Sequence, residues 1–230
     1  SQIPRCDAGI KQTLERDSVL DNWYRGRLLS LLGVKYLIEA KFGEGKELST
    51  TQKRFPEEFF QLNWQDSIFR IWEYKEALPR VFLVNDYLVE TNSQKIVDYL
   101  FDQDFNLSQK IILEEEPDLE IGRSEEEFNG QVNLVDYQPN RVKLQTQSPS
   151  ASLLFLSDNY YPGWKAWVNG EETKILRANY SFRALALPAG EHEVIFSYEP
   201  KSFFWGLKVS FLTLVALAGG IIMKKVGFWR

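Results

Sequence analysis

Scarcity says much about this chain of 230 residues. Cys6 is its single cysteine, which excludes an intramolecular disulfide and any cysteine-based zinc cluster. His192 is its single histidine, and no G-x-S-x-G motif accompanies it, so no nucleophilic triad can be assembled. A turn-capping or surface role at the strand entrance after Gly190-Glu191 is the expectation for that ring. Gly43-Glu44-Gly45 lacks the third glycine of a dinucleotide loop. Ala40 stands where a phosphate-binding loop aligned on Gly45-Lys46 needs its first glycine, so neither nucleotide motif is present. Basic residues are outnumbered, 27 against 32 acidic, for a formal charge of −5. Setting aside Lys208, Lys224, Lys225 and Arg230 leaves 23 basic against 32 acidic, about −9 over residues 1–203. Nucleic acid demands the opposite sign. Met223 is the only methionine, and residues 1–17 hold no apolar core of a signal peptide. The expectation is a C-terminal piece of a larger, multi-pass protein.

What the chain does have is an apolar run from Phe203 to Met223, charged only at Lys208. A helix needs about 20 such residues to cross a hydrocarbon core of about 30 Å. Lys208 can bury its methylenes and lift its ammonium to the interface, beside Trp205 at headgroup level. Lys224, Lys225 and Arg230 follow, with no acid after Glu199. The positive-inside rule then predicts a transmembrane helix over 203–223, a cytoplasmic tail over 224–230, and residues 1–202 outside the cytoplasm. A buried core helix is the rival reading. Gly206, Ser210, Thr213 and Gly220 fall near one stripe, which either packs against further membrane helices of the same protein or is ordinary small-residue content.

Ahead of this run the periodicities divide. Residues 18–32 have helical spacing, stopped at Gly33, and Val34–Ile38 reads as a buried strand. Residues 43–56 read as a loop. Ser67–Tyr74, Arg80–Val84 and Ile111–Leu113 read as strands, and Asn92 or Ser93 is placed to cap a helix through Phe101. Glu114–Glu116 and Glu125–Glu127 flank a polar connector, read as a solvated boundary rather than a metal site. From there only strands are expected: Val132–Tyr137, Arg141–Thr146, Ser152–Ser157, Trp164–Val168, Thr173–Leu176, Ser181–Leu187 and Glu193–Tyr198. Asn169-Gly170 between two alternating runs is a strong hairpin signal. The predicted fold is α+β. A small mixed α/β subdomain (1–125) precedes an antiparallel β-sandwich of jelly-roll-like form (126–202), then one transmembrane helix.

The pieces LLGVKYLI (31–38), ALPRVFLV (77–84), YYPGWKAWVNGEETKI (160–175) and FRALALPAGEHEVIFSYEPKSFFWGL (182–207) resemble the C-terminal portion of YfhO-type bacterial multi-pass membrane proteins, placed among the GT-C-fold glycosyltransferases. That resemblance implies transfer of a sugar from a polyprenyl-phosphate carrier outside the cytoplasm. The catalytic carboxylate implied by the family lies in a first extracytoplasmic loop that has no counterpart here, so no catalytic residue, metal ligand or cofactor is assigned to this chain. The expected partners are the lipid bilayer, further membrane helices of the same protein, and a lipid-linked sugar or envelope glycan. A non-enzymatic anchored module, binding envelope glycan or another protein, is the alternative.

Tyr160, Tyr161, Trp164 and Trp167 gather around Pro162-Gly163. Strand alternation puts Trp164, Ala166 and Val168 on one sheet face and Lys165 and Trp167 on the other. Tyr160, Tyr161 and Trp167 are therefore the candidates for stacking on a sugar ring, against the plainer readings of core packing and interfacial anchoring.

Overall fold

The computed structural model describes residues 23–41, 54–122 and 128–225, with side chains to residue 221. Cys6, Glu125–Glu127, most of the predicted 43–56 loop and the charged ends of the basic tail lie outside the described residues. Three helices and fourteen strands are described: α1 (Trp23–Leu31), α2 (Ser93–Leu100) and α3 (Lys201–Lys225), with β1 to β14 in chain order between Tyr36 and Tyr198. The architecture is α+β, with two large sheets facing each other, as the sequence predicts.

One large sheet has five strands in the order β11 (Glu171–Thr173), β10 (Trp164–Val168), β14 (Gly190–Tyr198), β8 (Arg141–Ser148) and β7 (Gln131–Gln138). The other has six: β4 (Val81–Val84), β9 (Ser152–Asn159), β13 (Phe182–Leu187), β12 (Leu176–Ala178), β6 (Lys110–Leu113) and β5 (Asp86–Val89). Alternation sends Leu154, Leu156, Leu185 and Leu187 of the second sheet against Val142, Leu144, Val194, Phe196 and Ala166 of the first. Each of these leucine, valine and phenylalanine side chains taken from water stabilises the fold by about 1.5–3 kcal/mol. The opposite face of the six-stranded sheet is buried too, where Leu153, Phe155, Phe182 and Ala184 meet Leu119 and Ile121 of the connector.

Strands from both sides of residue 125 build this sheet. Val81 to Val84 of β4 pair with Leu156 to Leu153 of β9, while β5 and β6 run parallel with α2 as their crossover. The expected division at 125 and 126 therefore cuts through one sheet rather than between two units. The predicted strand Thr173–Leu176 is also resolved differently. Thr173 pairs with Ala166 in the five-stranded sheet, Leu176 with Ala184 in the six-stranded one, and the chain changes sheets at Lys174-Ile175.

The smaller sheet, in the order β1 (Tyr36–Ala40), β3 (Phe69–Tyr74) and β2 (Phe60–Gln65), buries Phe60, Trp72 and Tyr74 against Phe55 and Leu29 of α1. Asn92 is the N-cap of α2, its Oδ1 accepting from the N–H groups of Gln94 and Lys95 at 3.0 and 3.1 Å. Arg27 ties α1 to the end of α2 by donating to the carbonyls of Leu100, Asp102 and Phe105.

Candidate functional site

The Tyr-Pro-Gly-Trp segment forms the turn into β10. Trp164 N–H donates to Tyr161 O at 3.4 Å, with Pro162 and Gly163 at the two central positions. Gly163 has φ 103°, the left-handed value this turn requires at its second central residue. A Cβ there would meet Tyr198 Cε2 at 3.0 Å and Pro200 Cα at 3.2 Å. Glu199 N–H donates to Gly163 O at 2.6 Å, so the turn is fastened to the last residues before α3 begins at Lys201. The aromatic cluster consequently stands where the sandwich joins the apolar helix.

Around this turn is a recess of about 280 Å³ lined by Tyr160, Tyr161, Trp164, Lys165, Glu172, Lys174 and Arg183, among others. Tyr161 is 61% exposed, and its ring lies 6.4 Å from that of Tyr198, which in turn lies 5.4 Å from Trp164. Of the three predicted contact residues, the recess brings Tyr160 and Tyr161 together and omits Trp167. As alternation predicts, Trp164, Ala166 and Val168 pack toward the core, and Trp167 takes the outer face. There it is half-buried, with Lys165 Nζ 5.8 Å from its ring centre. Trp164, read as core, is also half-buried and forms the recess wall.

Sequence reasoning passed over Arg183. Its strand is buried on both faces, and Arg183 shares the inward parity of Leu185 and Leu187, leaving it 2% exposed between the sheets. The guanidinium lies 4.0 Å from the Trp164 ring centre and 5.3 Å from that of Phe196. Its Nη2 donates to Asp158 Oδ2 at 3.1 Å, and its Nη1 is buried without a partner. Asp158 also accepts from Arg80 Nη1 and Tyr137 Oη, each at 3.1 Å. Burial pulls Arg183 below its ordinary proton affinity, against the opposing pull of Asp158. Burial likewise pushes the Tyr137 phenol up, with the Asp158 charge adding to it. Asp158 in β9 parity with Leu154 and Leu156 was the signal available, since an inward acid asks for an inward base.

His192 is held in its turn. Nε2 faces the Pro188 carbonyl at 3.1 Å and must donate to it, so Nδ1 accepts from Asn169 Nδ2 at 3.0 Å. Asn179, first residue of an Asn-Tyr-Ser sequon, is buried and accepts from Ile112 N–H at 2.8 Å. A second cleft, about 440 Å³, opens between α1 and the smaller sheet and includes Trp23, Ser30, Tyr74 and Asn106. Among the described residues no group of His, Cys, Asp or Glu is placed to hold a metal ion.

Among the described residues, α3 alone is long and apolar enough to cross a membrane, over Lys201–Ile221. Gly206, Ser210, Thr213 and Gly220 lie on it; a Cβ at either of these two glycines meets nothing, and Thr213 Oγ1 donates back to Val209 O at 2.9 Å. Lys208 Nζ sits 4.9 Å from the Trp205 ring centre near the N-terminal end of α3.

Residues 123–210 match the family model for the bacterial membrane protein YfhO. The match is consistent with a YfhO-type C-terminal region, and the matched span holds both the Tyr-Pro-Gly-Trp recess and the first turns of α3. The two upstream pieces of the resemblance, 31–38 and 77–84, lie outside the YfhO match. No curated protein and no solved structure matches the chain.

Proposed function

We propose that this chain is the C-terminal part of a membrane glycosyltransferase using a polyprenyl-phosphate-linked sugar. Residues 1–202 are its extracytoplasmic accessory domain, and the tail 224–230 is cytoplasmic. The observation that carries the reading is the aromatic recess at the first turn of the apolar helix. A glycan on a lipid carrier presents its sugar rings at headgroup height, where the Tyr160 and Tyr161 rings stand ready to stack on them. The domain positions the ligand and does not perform the transfer.

The test is a glycan titration on the full chain in uncharged lipid nanodiscs. Tyr161→Ala should weaken binding several-fold, since a lost stacking partner costs on the order of 1 kcal/mol, and leave the melting temperature unchanged. Equal affinity in both forms removes the recess from the reading. A reporter fused after Arg230 should be active only in the cytoplasm; activity on the far side reverses the topology. The anchored, non-enzymatic module is favoured by one feature, the open apolar face of the smaller sheet, where Tyr36, Ile38, Trp64 and Phe69 are exposed. A full-length protein that binds glycan but transfers none would select it.

A further inference from the structure

We propose that the recess beside α3 is an oxyanion site, in which Arg183 Nη1 binds a phosphate group carried by the ligand. This deepens the reading of the recess as a ligand site and rests on it. Asp158 serves two guanidinium groups and a phenol, so the cluster of Arg80, Arg183 and Asp158 keeps one positive charge uncompensated. Arg183 is the buried one of the pair, and its Nη1 has no acceptor. A water molecule would satisfy that N–H but not the charge; an oxyanion satisfies both. Arg183 lines the recess, so the recess is the route by which an acceptor arrives. In a chain of net charge −5, this recess has Lys165, Lys174 and Arg183 in its lining and Glu172 as the only acid. The lysines are spoken for on the outer side, by Glu172 and Glu199 for Lys165 and by Glu115 for Lys174, which leaves the inner guanidinium as the principal donor. Trp164 on the face of that guanidinium keeps water from screening it.

The experiment is calorimetric titration of the full chain in phosphatidylcholine nanodiscs with inorganic phosphate, glucose 1-phosphate and uncharged methyl glucoside. Glucose 1-phosphate should bind about tenfold more tightly than methyl glucoside. Arg183→Lys, which keeps the charge and loses Nη1, should remove about that tenfold. If Arg183→Lys does not fold, Arg80→Gln carries the test, because it leaves Asp158 to neutralise Arg183 alone and lies outside the recess lining. That variant should lose about threefold for glucose 1-phosphate and nothing for methyl glucoside. Nanodiscs doped with phosphatidic acid distinguish the source of the phosphate. A lipid phosphate that reaches Arg183 competes and weakens glucose 1-phosphate; unchanged affinity assigns the site to a soluble phosphate. Equal binding of the sugar and its phosphate, with Arg183→Lys silent, overturns the oxyanion site and leaves the glycan reading standing. Binding of inorganic phosphate without any sugar preference, insensitive to Tyr161→Ala, does the reverse. No phosphate binding in any form overturns the oxyanion site.

Discussion

The sandwich interior and α3 are built from the same kinds of side chain and end in opposite places. Leu144, Leu154, Leu185 and Phe196 are fully buried, while Phe203, Phe211, Leu214 and Leu217 of α3 are each more than 60% exposed. Within the sandwich, alternating runs cover one another, so water is excluded by protein. On α3 the apolar residues run all round the helix and meet no neighbour among the described residues, over a stretch long and apolar enough to cross a membrane. The smaller sheet stands between the two, with one face closed over Trp72 and Tyr74 and the other open at Ile38, itself 71% exposed. Apolar content therefore says that a segment leaves water; only its periodicity says what it leaves water for.

The largest expected effect breaks the sandwich side of that comparison. Phe196→Ala empties the centre of the inter-sheet core and removes one face of the Arg183 stack. It should cost about 3–5 kcal/mol, read as a lower midpoint in chemical denaturation. A loss under about 1 kcal/mol, the range of ordinary surface changes, would mean that the two sheets do not share a core.

The matching change on α3 should do the opposite. Leu214→Arg sets a charge near the middle of the span, at a cost of about 2.5–3.5 kcal/mol for insertion. Membrane fractionation should show it leaving the bilayer, while the unfolding midpoint of the sandwich stays where it was. A shift in that midpoint would make α3 a core helix of the globular part.

What the sequence made legible follows the same line. The β-strands after Gln131 other than Thr173–Leu176, the Asn169-Gly170 hairpin, the Asn92 cap and the terminal helix are all legible in patterns within a few residues, and each is present. In the hairpin, Asn169 at φ 52° and Gly170 at φ 89° take the paired positive values of a two-residue turn. Illegible were the pairings made at long range. Val81 to Val84 read as a strand, but nothing local says that its neighbour is Leu153 to Leu156. The Tyr160 and Tyr161 part of the recess was legible because aromatics around Pro-Gly stand out. Arg183 was not, because one charge in a strand buried on both faces leaves no alternation to read.

The smallest expected effect separates the two tryptophans of β10. Trp164 shares its face with the core and carries the Arg183 guanidinium at 4.0 Å, so Trp164→Ala should cost about 3 kcal/mol. It should also weaken phosphate binding, because the guanidinium loses the wall that holds it. Trp167 pairs across to Ile195 and Glu172 on the outer face and takes no part in the recess. Trp167→Ala removes a half-buried ring and the Lys165 contact over it, for on the order of 1 kcal/mol, with glycan and phosphate affinities unchanged. Thermal unfolding and titration on both variants read the pair together. If Trp167→Ala were the one to abolish binding, the ligand would lie across the outer face of the five-stranded sheet, and the recess beside α3 would be only the plug at the end of the sandwich.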